Sequence, residues 1–149
     1  MKLRRLASGR SGVAAVEFAI GASFLAIALV GVYDFGRSSW HRMQVISAAH
    51  AGAAYAAAHG FSTNGIVTAI LGATDFAALS ATPAPERVCG CPDGVNGIAI
   101  VACGSACGHG GDAGTYVRVS ASGSYTFVFP YPYVSQPVAM STSVLARIQ

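Results

Sequence analysis

The sequence predicts an α+β fold: a long N-terminal transmembrane and stalk helix, a second short helix, and a small antiparallel sheet as head. Three observations predict it. Residues Val13 to Tyr33 are nearly all apolar, and the alanine-rich stretch Asp34 to His59 that follows contains no proline. Pro83 and Pro85 then break the helical pattern. Beyond them, Tyr116 to Ser122 and Met140 to Ile148 alternate with the period of two that marks half-buried strands.

The apolar stretch Val13 to Tyr33 has 21 residues and one charge, Glu17, and about 20 residues suffice to span a bilayer as a helix. Overall composition agrees: 53% of the chain is hydrophobic and only 10% charged, against roughly 25% charged in a soluble domain. The net charge of +3 is concentrated at one end, where Lys2, Arg4, Arg5 and Arg10 precede the apolar run without an acidic residue. Under the positive-inside rule this leader lies in the cytoplasm and the rest of the chain beyond the membrane, in the periplasm of a Gram-negative envelope. No basic patch with interleaved aromatics occurs elsewhere, which argues against nucleic acid as a partner.

Alanine is the best helix former, so the helix is expected to continue to His59, with Gly60 as its C′ residue and Gly31, Gly36 and Gly52 as weak points. Helical spacing puts Ala15, Ala19, Ala22 and Ala26 on one small face, and Ala49, Ala53 and Ala56 on another. Small faces allow close helix packing. A second helix is expected from about Asn64 to Leu79, with Thr63 as N-cap and Ile66, Ile70, Leu71, Phe76 and Leu79 as its apolar side. The strand region adds the short run Ile98 to Val101, and the alternation sets Val117, Val119 and Ala121 opposite Arg118, Ser120 and Ser122. Phe129 to Tyr133 (FPYPY) reads as a connection, because two prolines do not fit a central strand. The organisation is therefore a basic leader (1–12), a transmembrane helix (13–33), a helical stalk (34–60) and an α+β head (61–149).

Cys89, Cys91, Cys103 and Cys107 have the spacing C-x-C-x₁₁-C-x₃-C, with His109 close behind. Zinc binding is one reading of cysteines beside a histidine. The spacing is not the double C-x₂-C pattern, and an oxidising compartment favours two disulfides. A Cys89–Cys91 bond would close a strained ring, so bonds from the first pair to the second are preferred, in either connectivity. His41, His50 and His59 are nine apart and rotate by about 180° at each step, so they cannot converge on one metal. Surface positions are expected for them. Asp75, Asp93 and Asp112 show no pairing for acid–base chemistry, and the sequence suggests neither an enzyme nor a cofactor.

The most specific signal is Gly12 followed by Val13-Ala14-Ala15-Val16-Glu17-Phe18. A basic leader ends in glycine, an apolar helix starts at once, and a glutamate with an aromatic neighbour follows. This resembles the prepilin peptidase site of type IV pilins, and particularly of Flp pilins, with Phe18 in place of tyrosine. At the end of the apolar run and just beyond it come Gly31, Asp34, Phe35, Gly36 and Arg37, then Ala48, Ala49, Gly52 and Ala53. The run is similar to the TadE family of minor pseudopilins over roughly the first 60 residues. His50, Ala51 and Ala54 stand where that family usually places charges.

The resemblance implies a pilin-like arrangement, cleavage after Gly12 by a prepilin peptidase, and incorporation among other pseudopilins in assembly of a tight-adherence pilus or a related secretion machine. It also implies that Glu17 neutralises the freed amine of a neighbour's Val13. Two rivals stand beside it. One is a secretory signal peptide cleaved after Ala26-Ile27-Ala28; the other is a single-pass membrane-anchored binding module with no role in a pilus.

Overall fold

The computed structural model describes residues 11–93, 97–108 and 110–148. The leader's basic side chains and His109 therefore lie outside the described residues. Helix α1 runs without interruption from Ser11 to His59, about 70 Å at 1.5 Å per residue. Gly31, Gly36 and Gly52 are all accommodated within it. It ends as expected: Gly60 takes φ +79 and donates its N–H to the Ala56 carbonyl at 2.9 Å, in the left-handed conformation that glycine adopts at low steric cost.

Helix α2 spans Thr63–Leu71 and differs from expectation at both ends. Its N-cap is Ser62, whose hydroxyl accepts the Gly65 N–H at 3.4 Å. Its last residue is Leu71, eight before the expected end at Leu79, with Gly72 as C-cap. Beyond Gly72, Thr74 accepts the Phe76 N–H at 3.4 Å, a local bond that competes with the helical ladder. The chain must also turn here to bring Ser80 into its bridge with Ser122. Phe76 and Leu79 still pack against the core, but from this non-helical segment.

The head's sheet has four antiparallel strands, β1 (Glu86–Asp93), β2 (Gly97–Val101), β3 (Gly114–Tyr125) and β4 (Val138–Arg147), in the order β2-β1-β3-β4. Strands β3 and β4 lie where the alternation places them, and β2 coincides with the short apolar run Ile98 to Val101. Strand β1 (ERVCGCPD) has no such alternation. It tolerates Pro92 because its pairing with β3 ends at Gly90, so the proline lies beyond the doubly paired stretch. The longest pairing joins β3 to β4, from Tyr116 opposite Arg147 to Tyr125 opposite Val138.

The two halves of α1 differ. No part of its most apolar window is buried within the molecule, so this segment is not the core helix of a soluble fold and fits a single-pass membrane anchor. Above it, Asp34, Val45, Ala48, Ala49, Gly52, Ala53 and Ala56 form a buried stripe at helical spacing. Against that stripe lie Ile66 and Ile70 of α2 with Val117, Val119 and Ala121 of β3 and Met140 of β4. The small face at Ala49, Ala53 and Ala56 is thus used inside the chain. Gly52 marks the closest approach: a Cβ there would come within 2.6 Å of Ile70 Cγ1 and 2.9 Å of Val119 Cγ1.

Two disulfides, Cys89–Cys103 and Cys91–Cys107, close the loop after β2 onto β1. Cys89 and Cys91 are two apart on one strand and project to the same face, which lets one loop receive both bonds. Each stabilises by about 3 kcal/mol in the chain-entropy model. Ion pairing contributes less. Arg118 and Glu86 meet at 2.6 Å across β3 and β1, but both are solvent-exposed, where such pairs give about 0–1 kcal/mol.

The packing at Gly52 yields a test. Gly52→Leu should destabilise the head by about 1–3 kcal/mol through overpacking, while the lower half of α1 keeps its helicity. Thermal unfolding of the full chain in detergent, followed by near-UV and far-UV circular dichroism, checks both. An unchanged midpoint would contradict the close approach.

Candidate functional site

The head meets the top of the apolar segment at one carboxylate. Asp34 is the first residue after the 21-residue stretch, and its exposure is 0%. A buried charge must be compensated by hydrogen bonds, and the β3–β4 connection supplies them. The Val128 N–H donates to Oδ1 at 3.0 Å and the Phe129 N–H to Oδ2 at 3.1 Å. The Tyr125 hydroxyl donates to Oδ1 at 3.4 Å. Burial by itself raises the carboxyl pKa, but the Val128 and Phe129 amides outweigh it with the tyrosines' help, and the group is held below its ordinary value.

Aromatic rings enclose this bond set. Phe35 packs against Phe127 and Tyr131 with centroids 5.4 and 5.6 Å apart. Phe127, itself buried, stands edge-on to both Tyr125 and Tyr131. A Cβ on Gly31 would lie 3.8 Å from the Tyr131 hydroxyl. That hydroxyl is buried and makes no hydrogen bond of ordinary geometry among the described residues. His41 stacks on Phe76 at 4.3 Å and bonds Gln44 at 3.0 Å, so it is half-buried, unlike the surface histidines His50 and His59. Its position corrects the surface expectation: it lies on the same stripe of α1 as Asp34 and Val45.

Of the five motif residues Asp34 alone is buried; Phe35, about half exposed, packs on the rim of its bond set, and Gly31 faces Tyr131 at ordinary contact distance. Gly36 and Arg37 face outward, and a Cβ on Gly36 would meet nothing within 4 Å. Gly12, Val13, Glu17 and Phe18 lie together on the exposed first turns of α1, far from the head. The four cysteines are all in disulfides on the β1 side of the sheet. A depression of about 600 Å³ on the opposite edge is lined by hydroxyls of Thr82, Ser120, Ser141, Thr142 and Ser143 with Arg118. It holds no base beside a nucleophile, so it offers no catalytic constellation.

The Asp34 bonds should be separable from its shape. Asp34→Asn retains two acceptor sites at one oxygen only and loses the charge, so it should loosen the 127–134 connection, and Asp34→Ala should loosen it more. Because the folded pKa lies below the ordinary 3.8, the stabilisation is complete above that value and is lost as pH falls through the lowered one. Hydrogen exchange at the Val128 and Phe129 amides should therefore accelerate in both variants at neutral pH, and in the native chain only in strong acid. Protection unchanged in Asp34→Ala would exclude this role.

A comparison with curated proteins finds no match, and neither does one with solved structures. Residues 12–54, from the apolar half of α1 into its buried small-residue stripe, match the family model described as TadE-like protein, and over this segment, 43 of 149 residues, the chain is similar to that family.

Proposed function

We propose that this chain is a minor pseudopilin that takes part in assembly or initiation of a tight-adherence pilus or a related secretion apparatus. The observation that carries the proposal is the family match over residues 12–54, which begins at the glycine preceding the apolar helix. A family of pilus-related systems, a single apolar anchor and a disulfide-bonded head fit one another. On this reading the N-terminus is cytoplasmic, the head is periplasmic, and a prepilin peptidase cuts between Gly12 and Val13. The protein acts by assembly and not as an enzyme; its partners are the membrane, the peptidase, other pseudopilins and the assembly machinery.

The chemistry of the proposal is charge compensation. Cleavage frees the amine of Val13 four residues before Glu17. Glu17 lies on an exposed part of α1, and a charge within a membrane helix costs about 2.5–3.5 kcal/mol on insertion scales. Pairing with a neighbouring subunit's amine offsets that cost within a helical bundle. Phe18 fills the position beside it that is tyrosine in Flp pilins. A membrane-anchored binding module with no pilus role is the alternative, and nothing in it requires Glu17.

Two expected outcomes test this. Replacing Gly12 by a bulky residue should leave a full-length, membrane-inserted precursor, visible as a slower-migrating band; trimming at the same bond would contradict peptidase processing. Glu17→Ala should insert and keep both disulfides yet fail to support piliation, and Glu17→Gln should fail almost as badly. Full surface piliation by Glu17→Ala at native abundance would remove the charge pair from the mechanism.

A further inference from the structure

The connection between β3 and β4 reaches down the apolar helix and not away from it. Phe129 and Tyr131 line a groove of about 190 Å³ together with Ala26, Ile27 and Val30 of α1, and no polar residue other than the tyrosine contributes to its wall. Ala26 is seven residues before Tyr33, about 10 Å lower along the helix axis. If the 21-residue stretch Val13–Tyr33 spans the bilayer, this loop lies at the depth of the outer interface and the adjoining acyl chains.

The composition of the loop suits that depth. No charged residue occurs between Arg118 and Arg147. Val128 is 72% exposed, Phe129 45% and Tyr133 fully exposed, a cluster of large apolar side chains that water alone does not favour. Tyr133 is held at φ +71, an uncommon conformation for a residue with a Cβ, with its ring projecting from the loop. Tyrosine is enriched where membrane meets water, since its ring is apolar and its hydroxyl is not.

Part of the loop's backbone is already satisfied within the chain. Non-helical backbone at membrane depth must have its polar groups covered. Pro130 and Pro132 have no N–H. The Val128 and Phe129 N–H groups go to Asp34, the Val134 N–H goes to the Tyr131 carbonyl at 3.3 Å, and the Phe129 carbonyl accepts from Gln136 at 3.3 Å.

We infer that the 127–134 loop is a second membrane contact: Val128, Phe129 and Tyr133 insert into the interfacial region of the bilayer beside α1, and the groove at Ala26, Ile27 and Val30 takes a lipid acyl chain. The partner is the lipid bilayer, and the inference goes beyond the pseudopilin reading, needing only that α1 is membrane-embedded. The continuity of loop and anchor points to lipid, because the groove's floor is the apolar span itself and its wall has no polar side chain but Tyr131.

The test uses the full chain in phosphatidylcholine vesicles. Trp40 is the one native tryptophan, so Trp40→Phe supplies a silent background. Into it go, singly, Tyr133→Trp, Val128→Trp and Phe24→Trp, the last reporting the middle of the span. Lipids brominated near either the glycerol end or the methyl end of the acyl chain serve as quenchers. The expected result is loss of Phe24→Trp emission with the deep bromines, and loss of Tyr133→Trp and Val128→Trp emission with the shallow bromines, independent of protein-to-lipid ratio. Quenching of Phe24→Trp without quenching of either loop probe would overturn the inference and leave the anchor intact. Loop quenching that disappears as protein-to-lipid ratio rises would assign the surface to a second copy and overturn it too. Absence of quenching at Phe24→Trp would defeat the anchor itself, and the inference with it.

Discussion

A single buried carboxylate fixes how the head sits on the helix. Asp34 follows directly on the apolar span and has no exposure, and two amides and a phenol from the β3–β4 connection satisfy it. A buried charge left unpaired is costly, so the connection is not free to lift away while the carboxylate stays inside. The connection in turn continues into β4, which pairs with β3 along ten residue pairs from Tyr116–Arg147 to Tyr125–Val138. Both strands pack on α1. The orientation of the sheet relative to the anchor is thus pinned at Asp34 and, further along the helix, by the packed stripe from Val45 to Ala56.

Small residues do two different things along that helix. In the stalk, Ala48, Ala49, Gly52, Ala53 and Ala56 are small because α2 and β3 press on them, and Gly52 has no room for a methyl group. In the span, Ala15, Ala19, Ala22 and Ala26 are exposed, and at Gly21 a Cβ would meet nothing within 4 Å. The same composition is therefore consumed within the chain in the stalk and left uncovered in the apolar span. The family match runs through the span and into the stalk as far as residue 54, although only the stalk owes its small residues to intramolecular packing.

Much of this was legible in the sequence, for identifiable reasons. The long helix was, because alanine and the lack of proline leave few alternatives to it. The core face of β3 was, because Val117, Val119 and Ala121 alternate with Arg118, Ser120 and Ser122, although Ser120 is buried as well. Asp34 was visible only as a motif letter: charged residues are almost never fully buried, and its donors lie more than ninety residues away in the chain. The stripe Asp34, Ser38, His41, Val45, Ala48 has helical spacing, but its polar members mask the periodicity that hydrophobicity alone would reveal. Strand β1 escaped because Gly90, Pro92 and its charges break any alternation, and its place depends on β3 and on the two disulfides. The end of α2 was misplaced because Phe76 and Leu79 have helical spacing yet reach the core from a turn. The choice between the two cysteine connectivities was open because both close loops of similar size.

Two carboxylates on α1 have opposite circumstances, and their contrast links the fold to the proposed assembly. They are seventeen residues apart, about 25 Å along the axis. Asp34 is enclosed by the chain's own amides and a tyrosine hydroxyl and is buried out of a neighbour's reach. Glu17 lies on a bare helix surface among exposed apolar side chains such as Val13, Phe18 and Ile20. In a membrane such a charge is stabilised by a partner or by reaching the headgroups. The first carboxylate holds the head in one orientation on the helix; on the proposed reading the second binds that helix to the next subunit. With head and anchor coupled rigidly at Asp34, the pairing of Glu17 at one end would dictate where each head is presented at the other.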